Sequence, residues 1–418
     1  MANNNLKPAA TTPVLKNAPT MITGAQSISG VIPAEGPRAT AITISGTKFG
    51  SVQSDVQVKI NNVSAIITGV SDNQITCVVP DRCGSGAISV AVKGKWVSGS
   101  YFQYDWAANI STFAPTAGSS VVVQGPMGIA RDAAGYFYVA DPTANKIFKV
   151  NNFGEVSVLA GSGVRGFADG QGAAAQFSSP GGIAVDGAGN VYVTDYMNYR
   201  VRKITPSGTV STLAGSGKQG YADGAGVTAQ FAYLYAISID ATGNLYLADE
   251  GRIRKITPQG YVSTVAGVGR WNNQLTGPAL SVSFLNPNGI LVSSSHDIYV
   301  ADGTNLIRKI SSSGMVSTVA GSGQAGLSDG YGSDVKFQGV SGIAMDATGV
   351  LYVTESNDPN NVSYMPYRIR KIARDGAVST PTGQTNNLSR PCGIVIDPSG
   401  AIYVADLTNK CIRKITLQ

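Results

Sequence analysis

Six times between residues 137 and 415 a short run of β-branched and aromatic residues ends in an acid and is followed by a basic, Ile-rich run. The plainest copy is Asn190-Val-Tyr-Val-Thr-Asp195-Tyr-Met-Asn-Tyr-Arg-Val-Arg-Lys-Ile204. The acids are Asp141, Asp195, Asp249, Asp302, Glu355 and Asp406, spaced 54, 54, 53, 53 and 51 positions apart. A period near 50 built from short strands predicts a β-propeller or a related array. This constrains the chain more than any other feature, because one repeat cannot bury its own apolar face and must stack on its neighbours.

Each full repeat predicts four strands. Around Asp195 these are Gly182-Ile-Ala-Val-Asp186, Val191-Tyr-Val-Thr194, Arg200-Val-Arg-Lys-Ile204 and Thr209-Val-Ser-Thr-Leu213, with Gly-, Asn- and Pro-containing turns between them. The last repeat stops after its third strand at Gln418, and Ile110-Ser-Thr-Phe-Ala114 resembles the missing fourth, as in Val210-Ser-Thr-Leu-Ala214. The sequence therefore predicts an all-β chain with a six-bladed propeller over residues 107–418, its last blade closed by strand 109–114. Such closure removes two free sheet edges. Deleting 107–116 should then destabilise the whole ring.

Ahead of the ring, residues 19–105 alternate in short segments, Ala41–Ser45, Val56–Ile60, Gln74–Val79 and Ala87–Val92, which predict a small β-sandwich. Residues 1–18 are Asn, Ala, Thr, Pro and Lys without period and read as a flexible tether. Ile44-Ser-Gly-Thr-Lys-Phe-Gly50, Val58-Lys-Ile-Asn-Asn62, Ser71-Asp-Asn-Gln-Ile-Thr76 and Gly86-Ala-Ile-Ser-Val-Ala-Val92 resemble the immunoglobulin-like IPT/TIG domain. That resemblance implies a non-catalytic spacer or interaction module. The repeats over residues 125–418 closely resemble NHL repeats. Together the two resemble exported bacterial surface proteins that capture glycans or other proteins. This resemblance implies an extracellular or cell-surface place, with the periplasm and a lipid anchor upstream of residue 1 both compatible.

Composition narrows the function classes. Charged residues are only 13%, and glycines number 51, which suits short strands joined by tight turns. The net charge of +6 would draw acidic partners, but five Ile-Arg-Lys-Ile-type segments supply ten of the 31 basic residues. A structural repeat accounts for that excess, so no nucleic-acid partner is expected. No apolar run approaches the ~18 residues of a membrane span. A monomer without cofactor or metal is expected.

Strands that run up and down sort the loops onto two faces. One carries tight turns such as Asp240-Ala-Thr-Gly-Asn244, and with them His296, the single histidine. The other carries three near-identical insertions, Gly161–Gly170, Gly215–Gly224 and Gly321–Gly330, a degenerate one at Gly267-Val-Gly-Arg-Trp271, and the long loop from Glu355 to Arg368. Function in such scaffolds sits on the loop-rich face.

The insertions match a G-x-G-x-x-G spacing, but they open no helix inside a parallel βαβ unit, so a folded loop is the better reading than a nucleotide site. Their Asp-Gly pairs lack the ladder of a calcium loop; pairing with an arginine or capping of loop amides is expected. Phe177, Phe231, Phe284 and Phe337 are expected to pin each insertion to its own blade. The six acids beside Arg202, Arg254, Arg308, Arg370 and Arg413 are expected to form a blade-by-blade ionic network. Disulfides Cys77–Cys83 and Cys392–Cys411 are both left open, the second straining the reach across two strand spacings.

Relatives in the wider NHL group, such as peptidyl-amidating and streptogramin lyases, rely on histidines that this chain lacks. The resemblance therefore leans away from an enzyme, with no catalytic residue assigned. The positive signal is aromatic: Tyr196, Tyr199, Tyr221, Tyr233, Tyr235, Trp271, Tyr364 and Tyr367 on the loop face. Amphipathic rings among Asn, Asp and Arg suit sugars or peptides. The expected function is non-catalytic binding of a polysaccharide or protein ligand. The alternatives are a metal-dependent lyase or lactonase-like hydrolase with its metal in the central channel, and a protein–protein scaffold.

Overall fold

The computed structural model describes residues 25–36, 38–80, 83–104, 108–269, 272–356, 367–382 and 387–417. The chain divides into an N-terminal unit, mostly residues up to 102, and a C-terminal unit from 103 onward.

The N-terminal unit is a two-sheet sandwich. One sheet has the order Ser27–Ile32, Ala41–Thr47, Gln74–Val78, Ile66–Ser71; the other has Glu35–Gly36, Lys95–Tyr104, Gly86–Val92, Val56–Ile60, Val63–Ser64. Alternation drives it: Ile42, Ile44, Val58, Ile60, Ile88 and Val90 are buried while residues between them face outward. Cys77 and Cys83 are buried thiols and form no disulfide. Cys77 stands opposite Ile42 in the core, and burial pushes its thiol up to about 12.

The C-terminal unit is an all-β six-bladed propeller, its described strands forming six sheets. In blade 2 the order outward from the axis is Pro180–Val185, Val191–Asp195, Arg200–Ile204 and Thr209–Ala214. Ala108–Ala114 pairs antiparallel with Cys411–Leu417, with Ile110 opposite Ile415 and Thr112 opposite Arg413. Phe113 stacks edge-on against Phe137 at 5.2 Å and Tyr403 at 5.0 Å, joining the last blade to the first.

Four blades have a fifth strand that the four-strand expectation missed. Each insertion runs outward and lays two residues against the outermost strand of the following blade. Gly170 pairs with Val210, Gly224 with Val262, Gly277 with Val316 and Gly330 with Val378. The insertions are therefore straps that join successive blades. Phe177 is correspondingly buried between blades 1 and 2, among Ala140, Ile147, Val193 and Ile204, instead of within one blade.

The innermost strands approach closely around the axis. A Cβ on Gly128 would lie 2.3 Å from the Gly181 carbonyl, on Gly289 2.1 Å from that of Ser341, and on Gly342 2.3 Å from that of Cys392. Glycine is required there because backbone meets backbone. The next residues, Ile129, Ile183, Ile237, Ile290, Ile343 and Ile394, ring the axis and are each only 6–7% exposed. They line both a loop-side cavity of about 90 Å³ and a turn-side one of about 290 Å³.

Candidate functional site

The end of each second strand carries the repeating acid, and the third strand presents an arginine to it. Arg202 Nη1 donates to Asp195 at 2.7 Å and Nη2 to the strap's Asp169 at 2.5 Å. Arg254 reaches Asp249 at 2.6 Å and Asp223 at 2.7 Å; Arg370 reaches Glu355 at 3.0 Å and Asp329 at 2.9 Å. The guanidinium groups are fully buried, so each charge needs its partner. In blade 4, where the strap has no aspartate, the Leu275 carbonyl accepts from Arg308 instead. Burial drives the carboxyls of Asp195, Asp249, Asp302 and Glu355 above their ordinary range, although arginine and backbone amides pull them back.

Most of their polar atoms are held from within. Asp195 also accepts from Ser178 N–H at 2.7 Å and Asn198 Nδ2 at 2.8 Å. Asp169 accepts from Thr212 N–H at 3.2 Å. The ionic network is architecture: its acids and arginines are buried and turned toward one another and toward the straps, with Glu355 Oε2 the buried carboxylate oxygen that lacks a partner among the described residues. The strap glycines follow suit. Gly161 and Gly163 adopt φ of 104° and 90°, while Gly166 leaves room for the Gln176 side chain, 2.4 Å from where its Cβ would be.

The tyrosines divide. Tyr196 opens the 3-10 turn between the second and third strands of blade 2. Tyr233 and Tyr235 flank Leu234 where blade 3 begins. Their rings come together: Tyr196 lies 6.0 Å from Tyr233 and 5.6 Å from Tyr235, tilted by 31° and 46°. Tyr233 is 36% exposed. Its N–H is held by Asp249 at 3.1 Å, so the network below fixes the ring above it. Burial raises the Tyr196 phenol, reinforced by Tyr235, which hydrogen-bonds it, and by Tyr233 and Tyr199. Tyr199 closes the same turn with φ of 52°. Tyr235 also lines the loop-side cavity with Met127, Asn288, Ser341 and Cys392.

Two candidates lie elsewhere. Tyr221 belongs to the strap of blade 3, its ring 3.7 Å from the Arg252 guanidinium and its hydroxyl 2.9 Å from Thr264 Oγ1. Phe167 does the same over Arg200 at 3.9 Å, so this position serves the strap. Tyr367 packs against the apolar cluster of Leu388, Ile394 and Ile402. Trp271 and Tyr364 lie outside the described residues.

Residues that sequence reasoning missed are Met127, Asn288 and Ser341. They stand one position before Gly128, Gly289 and Gly342, and thus share a ring at the channel mouth. The signal was present as the residue preceding the recurring Gly-Ile step (Ala236-Ile237 in blade 3), a position that varies while its neighbours recur. His296 lies in an Ser293–Asp297 turn with φ of 61°, where Gly189 and Gly243 stand in other blades. It lines a turn-side cleft with Asp240 and Lys255. Cys392 and Cys411 likewise form no disulfide.

Comparison with known proteins fits this architecture. An IPT/TIG domain matches residues 27–104, and an NHL repeat matches residues 177–204. The chain is an IPT/TIG domain joined to an NHL-repeat propeller. NHL repeat-containing protein 2 of Homo sapiens is 25% identical over 332 residues, 67% of this chain and 44% of that protein. Protein SUPPRESSOR OF QUENCHING 1, chloroplastic, of Arabidopsis thaliana is 28% identical over 283 residues. That match takes 62% of this chain but spans only 27% of the plant protein. Among solved structures, a Bacteroides thetaiotaomicron protein of unknown function superposes with a TM-score of 0.56 at 19% identity, covering 96% of this chain and 100% of that one. An auxiliary nutrient binding protein from the same organism gives 0.53 at 16% identity, with 94% and 98% covered. At these identities the likeness is one of fold.

Proposed function

We propose that the protein is a non-catalytic binding protein that takes a carbohydrate on the loop face of its propeller. The observation that carries this reading is the Tyr196–Tyr233–Tyr235 cluster beside a cavity edged by Asn288 and Ser341. Tilted phenol rings offer apolar faces to the C–H side of a sugar and hydroxyls to its rim. The cavity of about 90 Å³ is too small for a whole ring and suits a substituent from a ligand lying across its mouth. The near-full-length fold likeness to a protein described as an auxiliary nutrient binding protein supports the class of function and an exported, cell-surface place.

A lyase or lactonase-like reaction would need proton-transfer groups or metal donors in the channel. The described lining of the loop-side cavity is Gly, Ile, Met, Tyr, Asn, Ser, Ala and Cys, a set with the Tyr235 phenol and the Cys392 thiol but without carboxylate or imidazole. It does not fit a hard divalent cation, and no step is derived through one.

Affinity electrophoresis against a panel of soluble polysaccharides tests the binding reading. Retardation by at least one glycan is expected, abolished by Tyr196→Ala and Tyr233→Ala and kept by Tyr221→Ala. No retardation by any glycan, or retardation indifferent to the first two substitutions, would sink it.

A further inference from the structure

Blade 1 is built unlike blades 2–5 at its outer edge. Its sheet ends at Val156–Ala160, and no strap strand pairs with that edge among the described residues. In blades 2, 3 and 5 the strap is gripped at two points. The aspartate of the strap meets an arginine on the third strand and the N–H and hydroxyl of a threonine on or just beyond the fourth. These threonines are Thr212, Thr264 and Thr380. The cross-strand register identifies the counterparts in blade 1. Arg202 faces Thr212 and Arg254 faces Thr264, whereas Phe148 faces Val158. Both gripping groups are apolar in blade 1, whereas blade 6, which has no strap strand among the described residues either, keeps the pair as Arg413 and Thr112.

The vacated position is a cleft of about 500 Å³ lined by Val121, Val122, Phe148 and Val158, with Lys146 as the charged side chain among its described lining residues. Val122 is 63% exposed and Val158 42%. An exposed, apolar strand edge without Lys or Pro on it is unguarded against strand addition. The molecule itself shows what covers such an edge: an extended segment, paired antiparallel, with one side chain turned toward the third strand.

We infer that the outer edge of blade 1 is a docking site for an extended peptide of a partner protein, added as a fifth strand. The peptide carries an apolar residue where the straps carry aspartate. It carries an acidic residue where Phe167 covers Arg200, because Lys146 occupies the matching place at the start of the third strand. Main-chain bonds supply affinity and the two side chains supply selection. This surface is independent of the tyrosine cluster.

The test uses the full chain and a fluorescein-labelled peptide of residues 163–173 carrying F167E and D169L, titrated by anisotropy. Saturable binding is expected, at least tenfold weaker with Val158→Lys and unchanged with Val63→Lys in the sandwich. The double change Phe148→Arg with Val158→Thr should reverse the preference, so that the unaltered 163–173 peptide binds better. Absence of saturable binding to the wild-type chain would overturn the inference, as would equal binding to a Val158→Lys variant that melts like wild type. A wild-type dimer that Val158→Lys converts to monomer would also overturn it, by assigning the edge to a second copy.

Discussion

In blades 2 and 3 each second strand has an aspartate near both ends, and the two behave oppositely. At the turn end, Asp240 resists ionisation through burial but is outweighed by hydrogen bonds from Asn244 and Thr242, which hold it at about 2. Asp186 is lowered in the same way by Asn190, Tyr192 and Ala188. At the loop end, Asp195 and Asp249 face buried arginines and still sit above the ordinary range because burial dominates. The difference lies in desolvation. At the loop end it outweighs arginine and amides together, while at the turn end the amide and hydroxyl donors outweigh a smaller penalty.

The largest break in this comparison is Asp195→Ala, which leaves Arg202 buried without its inner partner and should cost about 3–5 kcal/mol, read as a lower melting temperature by calorimetry. Replacing both groups, Asp195→Leu with Arg202→Met, should cost less than the single change. A double variant worse than the sum of its parts would contradict the desolvation argument. At the other end, Asp240→Ala removes the acceptor for five hydrogen bonds in one turn and should cost about 1–3 kcal/mol. Tyr246→Phe, which deletes a 3.2 Å bond to Asp240, should cost about 1 kcal/mol.

Acid titration sharpens the same contrast. The folded value of Asp240 lies below its ordinary 3.8, so its contribution is complete above that pH and is lost as pH falls toward about 2. The raised carboxyls of Asp195 and Asp249 have the opposite sign: the folded state holds their protons more firmly, so stability falls as pH rises through their window. Asp240→Asn should therefore flatten the loss of stability below pH 3.8 in denaturation profiles, and the Asp195→Leu with Arg202→Met pair should leave that limb in place.

The propeller and the sandwich were legible because both rest on periodicities that survive in a single chain. The 51- to 54-residue recurrence of the acid marks the blades, and the alternation in Val56–Ile60 marks a half-buried strand. The ionic pairing of Arg202 with Asp195 followed from the same regularity. The straps were not legible as strands. A paired stretch of two residues, Gly170–Gln171, has no period, and its partner lies in the following blade. Tyr221 looked like Tyr196 because both are tyrosines in loops of one face. Only the position of Arg252 under its ring separates strap from cluster. The convergence of Tyr196 with Tyr233 and Tyr235 depends on two blades meeting, which no local pattern encodes.

The isoleucine ring at the axis has a consequence for how such a molecule can change. Ile129, Ile183, Ile237, Ile290, Ile343 and Ile394 line both axial cavities, so hydrocarbon is what the two faces share at the axis. A solute on the tyrosine side meets that hydrocarbon at the waist, while Asp240 lies in a separate turn-side cleft with His296 and Lys255. Selection on one surface leaves the other untouched, so a lineage could acquire a new ligand above the waist while the turns below keep the same form.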